Sequence, residues 1–311
     1  MKKKLLVLLV VALVGVLLVL DAVVGVIGPD DSSSGEAGQR PRLTVGSANF
    51  PENELLAEIY AGALSAAGFE VSTKLNIGSR EVLFPAMERS EINVVPEYTG
   101  ALLNYLSKGE ASATGTSEQV SKLDATLPKG LRLLKPSKAQ DQETVTCTRA
   151  VAEKHGLTSL EDLAPVSGEL VFGGPPELPQ REGFGFKGLK DVYGVVFAKF
   201  QPLDVSGPLT VAALRDGKVD CANLFSTASA ITTNGFVSLT DPRGLIQSEA
   251  VVPLITEASA TPQVTQTLDA VSAQLTTDIL KTLVKRVEVD KESSAAVAAD
   301  FLGDNGLNAA R

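Results

Sequence analysis

The chain has 311 residues, 44% of them apolar and 21% charged, a globular balance that excludes disorder and leaves room for about two ordinary domains. Its formal charge is −9, and beyond Gly28 it carries 25 basic against 36 acidic residues. An acidic body is repelled by phosphate backbones, so a nucleic-acid partner is excluded; one His and two Cys exclude a zinc finger or a His- or Cys-rich centre, and no metal or cofactor is expected.

Lys2, Lys3 and Lys4 precede an apolar run over 5–20, which Asp21 interrupts and 22–28 resume. Counted to Ile27 the run is long enough to cross a bilayer, with its basic end held inside and the rest of the chain exported. Residues 1–28 therefore read as a cleaved signal peptide or an uncleaved anchor, and the lack of a small-x-small cleavage site after Leu20 favours the anchor. No Cys lies nearby for lipid attachment. Residues 29–41, PDDSSSGEAGQRP, are polar and form a flexible linker. The folded part is expected outside the cytoplasm, anchored or exported through this segment.

From Arg42 strand-like and helix-like segments alternate. Residues 43–45 read as a strand, and Pro51 opens a helix with Asn49 as a candidate cap. Leu55, Leu56, Ile59, Tyr60, Ala63 and Leu64 share one face of that helix, and Gly68 ends it. A strand over 69–75 follows, then a helix from the capping Ser79 to Arg89, kinked or restarted at Pro85. Residues 92–95 read as a strand and 99–106 as a helix. The polar stretch 108–118 reads as a loop.

A second region has strands at 144–148, 170–172, 195–197 and 219–224, with helices at 159–163, 189–193 and 210–216. The chain then returns to a strand at 251–255 and a helical stretch over 262–302. This order predicts an α/β fold of two lobes, the second inserted into the first: 42–141 plus 242–311 form lobe one, and 142–241 form lobe two. The crossings are expected near 137–143 and 237–244.

Two segments run in parallel. AMERSE leads into INVVPEYT over 86–99, and ALRDGK leads into VDCANLFS over 213–226. Each is a helix end, a polar turn, an apolar strand, then an aromatic and a hydroxyl. Tyr98-Thr99 and Phe225-Ser226 are thus placed at equivalent strand ends, facing a cleft or serving as strand-end core. Cys147 and Cys221 both fall on strands of lobe two, where an oxidising compartment permits a disulfide and two buried thiols are the alternative. The run Gly183-Phe184-Gly185-Phe186-Lys187-Gly188 matches a dinucleotide fingerprint but does not directly follow a strand, so no nucleotide site is expected. His155 reads as a surface residue at a helix end. No Ser-His-Asp arrangement surrounds it, and no enzyme is expected.

Particular runs carry a family resemblance. VGSANFPE over 45–52, LNIGSRE over 75–81 and PEYTG over 96–100 resemble the glycine betaine, choline and carnitine (quaternary amine) substrate-binding proteins of ABC importers. So do GGPPE over 173–177 with Arg181, GPLTVAAL over 207–214 and FST over 225–227. The resemblance implies a two-lobed periplasmic-binding-protein fold of type II, hinged. It implies an extracytoplasmic solute receptor that delivers a small quaternary-amine osmolyte to ABC permease subunits by cleft closure. A receptor for another small solute, such as an amino-acid derivative, and a sensor ectodomain are the alternatives.

Carried over residue by residue, the resemblance makes Tyr98 a wall of an aromatic cage, with Phe225 where relatives often have a second cage Tyr. Thr99 and Arg181 would hold a ligand carboxylate, and Ser79 and Ser226 complete the ligand-binding set. A quaternary ammonium donates no ordinary hydrogen bond, so ring faces hold it through cation–π attraction. Arg can fork onto a carboxylate. The sequence departs from the family at Ala48, where relatives often carry Lys, and over 141–145, which lacks the Tyr that relatives often have near Thr144.

Overall fold

The computed structural model describes residues 42–308 except 112, 114 and 248. The membrane segment and linker expected over 1–41 lie outside the described residues. Among the described residues no helix is long and apolar enough to cross a membrane.

Leu43 and Val45 are fully buried in β1 (Leu43–Gly46). Helix α1 (Pro51–Ala66) follows, with Pro51 in the first turn, where its missing N–H costs no helical bond. The six apolar positions read from the sequence are all buried, at the 3.6-residue period of a core-facing helix. Next come β2 (Val71–Lys74), α2 (Arg80–Glu88), β3 (Val94–Tyr98), α3 (Thr99–Ser107), α4 (Thr116–Thr126) and β4 (Leu131–Leu133). Helix α2 continues through Pro85, which leaves the Glu81 carbonyl without its helical donor shortly before the helix ends. The stretch expected as a loop over 108–118 instead leads into α4, whose few buried residues, Gln119 and Leu123, explain its weak signal.

The middle of the chain supplies β5 (Glu143–Cys147), α5 (Arg149–His155), β6 (Val171–Gly174), α6 (Phe186–Tyr193), β7 (Lys199–Pro202), α7 (Pro208–Arg215), β8 (Cys221–Phe225), α8 (Ser229–Thr233) and β9 (Val237–Ser238). The strand expected at 195–197 lies further on, as β7. Val195 is buried, and Phe197 stacks on Phe172 with centroids 4.5 Å apart, so these apolar residues feed the core without pairing. The end of the chain forms β10 (Val251–Thr256), α9 (Pro262–Gln274), α10 (Thr277–Glu288) and α11 (Ser294–Asp304). The Thr276 and Ser293 side chains accept from the backbones of Ile279 and Ala296, so each cap starts a new helix within the expected helical stretch.

Two five-stranded sheets result, ordered β2-β1-β3-β10-β4 and β7-β6-β8-β5-β9. Their pairings correspond strand for strand. In each, the first three strands are parallel and the last two antiparallel. The similar segments 86–99 and 213–226 lead into β3 and β8, the central strands of the two sheets. The chain leaves the first sheet after Leu133 and returns with Val251. Val237 pairs with Cys147, the Leu239 N–H donates to the Val145 carbonyl and Thr240 bridges Ser159, so the chain stays bonded to the second sheet's surroundings through 240. Cys147 and Cys221 are register partners on β5 and β8, and their sulfurs are bonded. Helix α11 packs against α1 at Gly62, where a Cβ would come within 2.6 Å of the Leu302 side chain.

Candidate functional site

A cavity of about 580 Å³ lies between the two sheets, at the ends of β1, β3 and β8. Asn53 shapes its floor. Its Oδ1 accepts from the Ala48 N–H at 2.7 Å, and its Nδ2 donates to the Pro96 carbonyl at 3.1 Å. That staple ties the turn after β1 to β3 and places Phe50, the residue before α1, beside Tyr98. The Phe50 ring centroid is 6.0 Å from that of Tyr98 and 4.7 Å from that of Phe225. Three rings, two beside the first sheet and one from the second, thus line one cavity.

Behind the rings lies a buried acidic network. The Tyr98 hydroxyl donates to Glu52 at 2.8 Å, and the Thr227 hydroxyl donates to the other oxygen of the same carboxylate. Burial, with the nearby Asp141 charge, pushes the Glu52 carboxyl well above its usual range. Burial and the Glu52 carboxylate push the Tyr98 hydroxyl up as well. Asp141 accepts from the Ser226 hydroxyl at 2.9 Å and from the Thr227 N–H at 3.1 Å, yet burial still raises its carboxyl to about 6.

The cationic side chains of the interior are committed to carboxylates. Arg80 clasps Glu97, with Nε at 2.9 and 3.1 Å from its two oxygens and Nη2 at 2.8 Å. Arg181 donates to Glu143 at 2.8 Å and to Glu177 at 3.0 Å, with Glu81 3.6 Å from its Nε. Glu249 also lines the cavity, is 7% exposed, and has no ion pair among the described residues. Burial and the Glu143 charge push its carboxyl well up, against the pull of Arg80.

Of the residues expected at a ligand, Tyr98, Phe225, Arg181 and Ser79 line this cavity. Thr99 and Ser226 do not. Thr99 is 0% exposed; its hydroxyl donates to Gln119 at 2.6 Å and accepts from the Ala250 N–H at 3.1 Å, so it is spent inside the fold. Ser226 turns to Asp141 and to the Gln142 N–H, on a different face. Arg181 lines the cavity with its guanidinium facing three carboxylates, Glu81, Glu143 and Glu177. Phe50, Arg80, Glu97, Gln247 and Glu249 were missed. Phe50 and Glu97 sit inside runs singled out for other reasons, whereas Gln247 and Glu249 precede β10 in an irregular segment with no periodicity to mark them. Among the described residues no cluster of His, Cys, Asp and Glu is arranged to hold a metal ion.

The family of substrate-binding domains of ABC-type glycine betaine transport systems matches residues 41–304. The chain is 29% identical over 280 residues to the glycine betaine-binding protein YehZ of Escherichia coli, covering 85% of this chain and 90% of that protein. It is 24% identical to a glycine-betaine-binding protein of Pseudomonas aeruginosa, covering 86% and 89%. Among solved structures, a glycine betaine/carnitine/choline ABC transporter protein superposes with a TM-score of 0.64 at 18% identity, covering 86% of this chain and 99% of that one. Apo YehZ superposes with a TM-score of 0.57 at 26% identity, again covering 86% and 99%. The two-sheet α/β fold is therefore that of the periplasmic binding proteins, a transport family rather than an enzyme family. The chain belongs to the family of substrate-binding domains of ABC-type glycine betaine transport systems.

Proposed function

We propose that this protein is an extracytoplasmic receptor that closes around a small quaternary amine and delivers it to the permease subunits of an ABC importer. The observation that carries this reading is the aromatic wall of Phe50, Tyr98 and Phe225. Ring faces attract a cation that cannot donate a hydrogen bond, and enclosure raises the attraction to about 2 kcal/mol or more. Names of relatives agree: two are called for glycine betaine, and a Listeria monocytogenes relative for carnitine.

The lobes are 42–141 plus 242–311 and 142–241, and the fold is of the hinged second type, with the two crossings acting as the hinge. Contacts that join the lobes support closure as the binding step. Phe225 meets Phe50, Thr227 donates to Glu52, and Asn104 donates to the Glu182 carbonyl at 2.6 Å. A ligand touching both lobes favours the closed form by its extra affinity for it. Within the Gly-rich run, Gly183 has φ +67° and a Cβ there would strike Asn104, so this glycine serves lobe contact. Residues 1–28 serve as a signal peptide or membrane anchor, and 29–41 as the linker to the folded part.

The test is a thermal-shift and calorimetric panel of glycine betaine, choline, carnitine, proline betaine and common amino acids. A ligand bound by the native state alone raises the melting temperature. The reading expects a quaternary amine to bind saturably; a response confined to amino acids lacking such a group overturns it.

A further inference from the structure

We infer that Glu249, with Gln247, selects the end of the ligand remote from its ammonium, so that this receptor prefers organic cations carrying a hydroxyl or similar donor there over zwitterions ending in a carboxylate. The inference rests on the receptor reading above and deepens it. What the cavity leaves unpaired is its warrant. The Gln247 Oε1 is buried without a hydrogen-bond partner, and its orientation is fixed because the Nε2 of the same amide donates to the Ala111 carbonyl at 3.2 Å. The Asn49 Oδ1 is likewise buried and unpartnered. Both residues line the cavity beside Glu249. These three side chains present acceptors.

The guanidinium groups that a ligand carboxylate would meet inside the cavity are engaged. Arg80 is clasped by Glu97, and Arg181 by Glu143 and Glu177. The other cations lining the cavity, Lys108 and Arg243, are exposed, and Arg243 is paired with Glu161 at 2.9 Å. Seating a carboxylate inside would break a buried ion pair or set like charges together, both costly. A hydroxyl donor instead satisfies a buried acceptor that is expensive to leave unmade. Choline and glycine betaine make a matched pair, sharing the trimethylammonium and differing at the far end.

Titrate choline, glycine betaine and tetramethylammonium calorimetrically into the wild-type protein, Glu249→Gln and Gln247→Leu. Wild type should bind choline at least about tenfold more tightly than glycine betaine. Glu249→Gln should bring that ratio near one, and Gln247→Leu should remove the advantage of choline over tetramethylammonium, which has no hydroxyl. Glu249 is faced by Arg80 from α2, the Ala101 amide from α3, Glu143 from β5, and Asp141. Equal or tighter betaine binding by the wild type, or a ratio unmoved in both variants, overturns the inference and leaves the receptor reading standing. Absence of binding by all three ligands and by carnitine overturns the receptor reading itself.

Discussion

Tyr98 does two things from one position: its ring lines the cavity and its hydroxyl donates to Glu52. The two parts are separable. Tyr98→Ala should weaken a quaternary amine by about 2 kcal/mol, because the ring face supplies the attraction. Tyr98→Phe should retain most of the affinity while lowering folding stability by about 1 kcal/mol, because Glu52 loses one of its donors. Calorimetry and urea unfolding on both variants check this; equal loss of affinity in both would assign the attraction to the hydroxyl. Asp141 makes a second prediction at this scale. Its carboxyl is raised to about 6 against about 3.9 in an unfolded chain, so the native state holds the proton more tightly. Its contribution to stability is therefore full below pH 4 and is lost as pH rises through 6, by about 3 kcal/mol. Asp141→Asn should flatten that part of the pH profile of urea unfolding; an unchanged slope between pH 4 and 7 would contradict the placement.

At the scale of elements, the bond between Cys147 and Cys221 closes a 74-residue separation within the second sheet. Restricting the unfolded chain over such a loop contributes about 4 kcal/mol in the chain-entropy picture. The double Cys→Ser variant should lose about 2–4 kcal/mol in urea unfolding and become insensitive to reductant. Long amphipathic elements were legible because periodicity survives in one dimension: α1 shows its buried face in six apolar residues. Elements held mainly by tertiary partners were not. Helix α4 buries little of its own surface, and β4 alternates buried Leu131 and Leu133 around an exposed Arg132, too short a run to stand out. The run 195–197 looked like a strand because its Val and Phe are core residues, yet the ladder forms at 199–202, a register that only the β6 edge specifies.

For the whole molecule, the half-repeat was the informative signal. It marks β3 and β8 as equivalent central strands, and their ends carry two of the three rings. The aromatic wall was thus partly legible, whereas the charge state of the cleft was not. Arg80 meets Glu97 and Arg181 meets Glu143 across 17 and 38 residues, so neither pairing has a local pattern. Closure is the central claim of the proposed function, and it joins fold to function through Phe225, the ring that the second sheet brings to Phe50. A calorimetric titration of quaternary amines into the wild-type protein and Phe225→Ala tests it most directly. The account predicts saturable binding by the wild type, weakened by about 1–2 kcal/mol in the variant as the second-lobe wall is lost. Affinity identical in the two proteins would contradict it.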